Sequence, residues 1–199
     1  MQFKSFEDGI EVNGRTIYSI VDGFRVVKSI PMRILRDHGI GEVAEDERTL
    51  KIKANEWYPQ QKWLEAFEEI SESMGDVVLY QIGLKIPENA QFPPWVNDIH
   101  SAIKSIDIAY HMNHRKNGKP MFDPETGNIQ EGIGHYGYKA IEGKNQIECE
   151  CRNPYPCEFD RGIVTTMAGK FNKSATVKHA PGSCRKNGAE SCLYVINWH

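Results

Sequence analysis

The sequence predicts an α+β fold in which an antiparallel sheet packs against helices, and three observations carry that reading. Apolar residues recur at helical spacing through "WYPQQKWLEAFEEISESMG" and "FPPWVNDIHSAIKSIDIAYHMNH". The segments "HYGYKAIEGKNQIECECRN", "ATVKH" and "SCLYVINW" have strand character. Between them lies "PYPCEFDRGIVTTMAGKF", a turn followed by a helix, so the C-terminal half reads β-β-α-β-β.

Taken in order, "IEVNGRTIYSIV" places an Asn-Gly pair between β-branched runs, which predicts a β-hairpin. "IPMRILRDHG" predicts a short helix stopped by Gly39. The polar segment "IGEVAEDERTLKIKANEW" shows no clear period. Residues 1–56 are therefore expected to form an N-terminal extension used for dimer contacts, and residues 57–199 the main domain. In that domain Trp63, Leu64, Phe67, Ile70 and Met74 line one helix face, with Gly75 as the stop. "DVVLYQIGLKI" fits either a helix or a strand, since periodicity does not separate the two in so apolar a run. Pro94 marks the start of the next helix, and Trp95, Ile99, Ile103, Ile106 and Tyr110 share a face. A turn-rich loop, "RKNGKPMFDPETGNIQEGIG", follows. Two strands then meet at Gly143-Lys144-Asn145, Asp160 sits near the positive end of the last helix, and Gly188 links the final two strands.

Hydrophobic residues make up 40% of the chain, enough to bury a real core. A net charge of −3 without a basic block argues against nucleic acid as the main partner. No run reaches the about 18 apolar residues of a membrane span, and "MQFKSFEDGIEVNG" lacks the apolar core of a secretory signal. Five cysteines in such a chain favour reduced thiols or metal ligation over a disulfide framework, and a cytoplasmic location. A nucleophile elbow, a P-loop, a dinucleotide fingerprint and an HExxH helix are all missing from the sequence.

The chemistry concentrates at the C-terminus. Cys157 precedes a helix, His179 ends a strand, and Cys184 and Cys192 bracket the link to the last strand. In a β-β-α-β-β fold these points meet at one sheet edge, and four such ligands suit tetrahedral zinc. A disulfide between Cys184 and Cys192, or unconnected buried thiols, are the alternatives. Cys149 and Cys151 share a strand face and read as core thiols, with extra ligands or a redox pair as the other options.

The pattern Cys157-x4-Gly162, Val177-x-His179, Cys184-x3-Gly188-x3-Cys192-x-Tyr194-x-Ile196 resembles the 4-vinyl-reductase domain family. Its superfamily includes the ligand-sensing domains of phenol-responsive transcription activators, the haem-based nitric-oxide sensors and Golgi transport subunits. The phenol sensors carry a structural zinc on three cysteines and a glutamate. The resemblance implies that Cys157, Cys184 and Cys192 match those cysteines, with His179 at the glutamate position and "PG" inserted before Cys184. It spans about residues 57–198 and is specific in the last 42.

The resemblance also implies an apolar cavity between helices and sheet, in which a histidine from a helix and a tryptophan near a strand hold the ligand. The matching positions here offer His111, His114, His135, Tyr136 and Tyr138, and no tryptophan, so phenol specificity does not transfer. Along one helix face run His100, Lys104, Asp107, His111 and His114. They read as a solvated face, as a second metal site on Asp107, His111 and His114, or as the source of a haem ligand. The Tyr/Ser/Arg propionate motif of the haem sensors is absent. The expected function is a sensor or regulatory domain binding a small apolar, aromatic or tetrapyrrole molecule, with structural zinc and a homodimeric state. The alternatives are a reductase-like enzyme on a tetrapyrrole or aromatic substrate, and an assembly subunit.

Overall fold

A computed structural model describes residues 2–23, 29–43 and 50–199. The elements run β1 (Ile10–Asn13), α1 (Gly14–Gly23), α2 (Ser29–Asp37), β2 (Glu42–Val43), β3 (Leu50–Lys51), β4 (Trp57–Pro59), α3 (Gln60–Met74), α4 (Asp76–Asn89) and α5 (Ile99–Met112). They continue with β5 (His114–Lys116), β6 (Lys119–Pro120), β7 (His135–Tyr136), β8 (Lys139–Ala140), β9 (Gln146–Arg152), α6 (Cys157–Phe171), β10 (Thr176–His179) and β11 (Cys192–Asn197). The predicted α+β class, with antiparallel sheets against helices, holds.

The predicted hairpin at Asn13-Gly14 does not form. β1 is instead an inner strand, pairing through Val12 with Tyr58 of β4 and with His114 of β5. With both edges occupied by distant partners, the chain turns at Asn13, whose side-chain oxygen accepts the Arg15 amide at 2.9 Å, and enters α1. Gly14 is required there because a Cβ would collide with the Lys53 carbonyl oxygen. The Asn-Gly pair serves as a strand-to-helix turn.

The polar segment after Gly39 yields the short pair β2–β3, and residues 44–49 lie outside the described ones. The ambiguous run 76–86 is helical, as part of α4. In α3, Trp63, Leu64, Phe67 and Ile70 are fully buried, each side chain stabilising the core by about 1.5–3 kcal/mol. α5 begins later than Pro94 suggests. Asp98 accepts the Ser101 amide at 2.6 Å, and Ser101 accepts the Asp98 amide in return, a capping box that sets the start at Ile99. Trp95 therefore precedes the helix and is 45% exposed.

The large sheet has the order β10-β11-β9-β7, with β8 also on β9. Alternation along β9 and β11 turns Ile147, Cys149, Cys151, Cys192, Tyr194 and Ile196 inward, where α6 covers them. α6 in turn crosses α4 at Gly83 and Gly162. A Cβ at either would strike backbone of the facing helix, the Phe159 carbonyl in one case and Tyr80 in the other. This close crossing is the physical use of the glycine that follows Cys157 by five positions.

Candidate metal centre and adjoining cavity

Antiparallel register sets the first half of the centre. His179, last in β10, pairs with Tyr194 of β11, and Cys192, first in β11, lies across from Cys151 of β9. Cys157 opens α6 over the same edge. Cys184 stands before a short turn at Arg185–Asn187, closed by Gly188 at φ 89°, where the Asn187 and Ala189 amides both return to the Cys184 carbonyl. One ligand atom from each of Cys157, His179, Cys184 and Cys192 lies within 4.8 Å of the others.

The four expected residues are thus brought together. All five cysteines are free, so Cys184 and Cys192 are not bridged to each other. Cys149 and Cys151 are fully buried with sulfurs 3.9 Å apart, outside the cluster. The Cys157 and Cys184 sulfurs are 3.7 Å apart, close to the about 3.8 Å between ligands of a tetrahedral ion with 2.3 Å Zn–S bonds. The Cys157 and Cys192 sulfurs approach to 2.9 Å. His179 Nε2 is buried without a hydrogen-bond partner. A histidine with an unpartnered buried nitrogen, grouped with crowded thiols, is a donor set short of a cation, and zinc fits it.

Arg185, which the sequence pattern did not single out, sets the charge here. It is 3% exposed, and both its amide and its Nε donate to the Cys192 sulfur at 3.3 Å. The Cys157 hydrogen bond and Arg185 together hold Cys192 well below the usual thiol range, whereas the shared hydrogen bond and burial push Cys157 up. Cys192 is the thiolate of the pair. Arg185 also forms a fully buried ion pair with Asp160, which accepts from Tyr136 Oη at 2.5 Å and from Asn153 at 3.2 Å. Burial pushes the Asp160 carboxyl up to about 6, against the pull of Arg185 and Tyr136. Asp160 is thus more than a favourable charge at the α6 terminus; it joins the cysteine edge to the interior. A buried acid in a helix first turn and an arginine between the last two cysteines were visible in the sequence, but their pairing was not.

At the other end of this chain of contacts lies a cavity of about 50 Å³, walled by Trp63, Phe67, Tyr110, Tyr136, Tyr155 and Phe159 among others. Ring pairs close the wall, with Trp63 on Phe67 at 5.0 Å and Tyr110 against Tyr136 at 5.3 Å. Its polar groups are satisfied within the protein. Tyr110 Oη donates to the Ile133 carbonyl at 2.8 Å. His114 donates from Nδ1 to the Tyr110 carbonyl at 2.6 Å and accepts from Tyr155 Oη at 2.9 Å through Nε2. Burial pushes His114 down to about 3, so it is neutral.

Of the five expected cavity residues, His114 and Tyr136 line this space. His111 and His135 meet Asp107 instead, and Tyr138 Oη lies 2.9 Å from Nδ1 of His100, which packs edge-on against Trp198 at 5.3 Å. The expected trio Asp107, His111 and His114 does not assemble, since His114 turns to Tyr155 and His135 takes its place. Among the described residues no helix is long and apolar enough to cross a membrane.

No protein-family model and no curated protein matches the chain. Solved structures do. An H-NOX protein from Shewanella oneidensis in the Fe(II) ligation state aligns over 94% of this chain and 96% of its own, with 15% identity and a TM-score of 0.62. The same organism's H-NOX protein in the Fe(II)NO state aligns over 94% and 99%, at 14% identity and TM-score 0.62. The solution structure of an H-NOX domain from Shewanella oneidensis in the Fe(II)CO state gives 94% and 98%, 13% identity and TM-score 0.58. At this identity the likeness is one of fold. It agrees with the α+β class expected from the sequence, and it does not extend to the 4-vinyl-reductase name.

Proposed function

We propose that the chain is a small-molecule-binding sensor domain. Zinc on Cys157, His179, Cys184 and Cys192 would stiffen the sheet edge, and a small, uncharged, mostly apolar molecule would occupy the aromatic cavity. The observation that carries this reading is the position of Tyr136. It lines the cavity and donates to Asp160, which is paired with Arg185, which in turn holds the Cys192 thiolate. A change in the cavity wall therefore reaches the cysteine edge through three buried contacts.

Haem, a feature of other H-NOX structures, does not fit this cavity. The space left between its packed rings is about 50 Å³. Among the described residues His114 is the histidine of its wall, and both its nitrogens are engaged.

Two measurements test the proposal. Metal analysis of the purified chain is expected to give about one zinc, lost in Cys184→Ser; zinc retained in that variant overturns the centre. Melting is then followed with xenon, benzene and phenol as probes, with haem alongside. The small probes should raise the melting temperature of the native chain and not of Ala109→Phe, which fills the cavity. No shift with any of them, or a haem complex with a defined Soret band, overturns the cavity reading.

A further inference from the structure

We propose that Asp107, His111 and His135 form a second metal site, for a divalent first-row transition ion, independent of the cysteine centre. A ligand atom from each of the three lies within 4.8 Å of the others. Asp107 and His111 stand one helical turn apart near the end of α5, and His135 opens β7 beside them. The His111 and His135 rings are 5.2 Å apart, tilted by 35°.

The surroundings prepare each donor. His111 is fully buried and donates from Nδ1 to the Asp107 carbonyl at 2.8 Å, which leaves the lone pair on Nε2. That Nε2 is buried and has no hydrogen-bond partner. The Asp107 carboxylate is oriented by the Tyr136 amide, which donates to Oδ1 at 2.8 Å. His135 donates from Nε2 to Glu131 at 2.9 Å, and its Nδ1 lies 3.1 Å from Asp107 Oδ2. A carboxylate behind an imidazole whose other nitrogen faces the site is the supporting arrangement metal-bound histidines use.

An ordinary ion pair between His135 and Asp107 accounts for two of the three residues. His111 Nδ1 also lies 3.9 Å from Asp107 Oδ1, while its Nε2 stays buried without a partner, and a metal ion would supply one. Two imidazoles and one carboxylate suit Fe(II), Co(II) or Zn(II) rather than Mg²⁺ or Ca²⁺, which take oxygen sets. Three protein donors leave coordination positions open, and the His135 side chain is 41% exposed, so a water or small anion can reach the ion.

The test is a Co(II) titration of the chelator-treated full chain, followed by visible absorption and by bound-metal analysis. The wild type is expected to bind two equivalents, one with thiolate charge-transfer bands and one without. His135→Ala and Asp107→Asn should each lose the band-free equivalent and keep the thiolate one; the exposure of His135 makes its replacement compatible with folding, which a melt verifies. Cys184→Ser should show the converse. A wild-type chain that binds only the thiolate equivalent, or a His135→Ala chain that still binds both, overturns the proposal. A band-free equivalent alone would support this site while removing the cysteine centre, so the two readings fail separately.

Discussion

The cysteine edge and the aromatic cavity lie at opposite ends of one buried chain of contacts and solve opposite problems. At the edge, Cys157 and Cys192 crowd to 2.9 Å, and a buried guanidinium holds one of them as a thiolate. In the cavity wall the polar groups other than Tyr136, which reaches Asp160, are answered by neutral neighbours, and burial keeps even His114 uncharged. Charge collected at one place needs a cation or a paired ion, because an isolated buried charge is costly. A neutral wall needs only complementary hydrogen bonds. Arg185 and Asp160 form the boundary between these regimes, and the difference teaches where each region is fragile. The edge fails when an ion is removed, the cavity when a proton is added.

The largest expected effect breaks the edge alone. Stripping the proposed zinc with a strong chelator removes an interaction on the order of 10 kcal/mol in small zinc domains. The melting temperature should collapse and recover on adding zinc. An unchanged melt would mean that the four ligands are held together without a metal.

Next comes the boundary. Arg185→Met leaves Asp160 and the Cys192 thiolate buried without their counterion, which should cost about 3–5 kcal/mol in denaturant unfolding. Adding Asp160→Asn to that variant should recover part of the loss. A single substitution as mild as a surface change would show that water reaches the pair.

The smallest effect probes the cavity. His114 in the folded chain is pushed down to about 3, while an unfolded histidine takes up its proton near 6.5. Below pH 6.5 the unfolded chain binds the extra proton first, so this group's contribution is complete above that pH and is lost as pH falls toward 3. The loss reaches about 2 kcal/mol by pH 5. His114→Gln should flatten this acid limb, and a limb that persists would assign it to another group.

How far the sequence speaks can be judged residue by residue. The helical period of Trp63, Leu64, Phe67 and Ile70 and the alternation of β9 and β11 are local, and both appear where expected. Strand register brings His179 and Cys192 to one edge, and the start of α6 and the turn after Cys184 bring the other two ligands there. The Asn13-Gly14 signal misled because local turn chemistry is indifferent to what pairs with the strand before it; β4 and β5, both distant in sequence, took both edges. His111 and His114 are three positions apart, and only the packed interior shows that one meets Asp107 and His135 while the other meets Tyr155.

The sequence by itself therefore determined the α+β class, most element identities and the composition of the cysteine cluster, since these follow from period, turn residues and register along short stretches. Tertiary structure alone decided the Arg185–Asp160 bridge, the size of the cavity and the grouping of Asp107 with His135. Those depend on which side chains meet across elements distant in sequence, and on the burial that forces each charge or lone pair to find a partner.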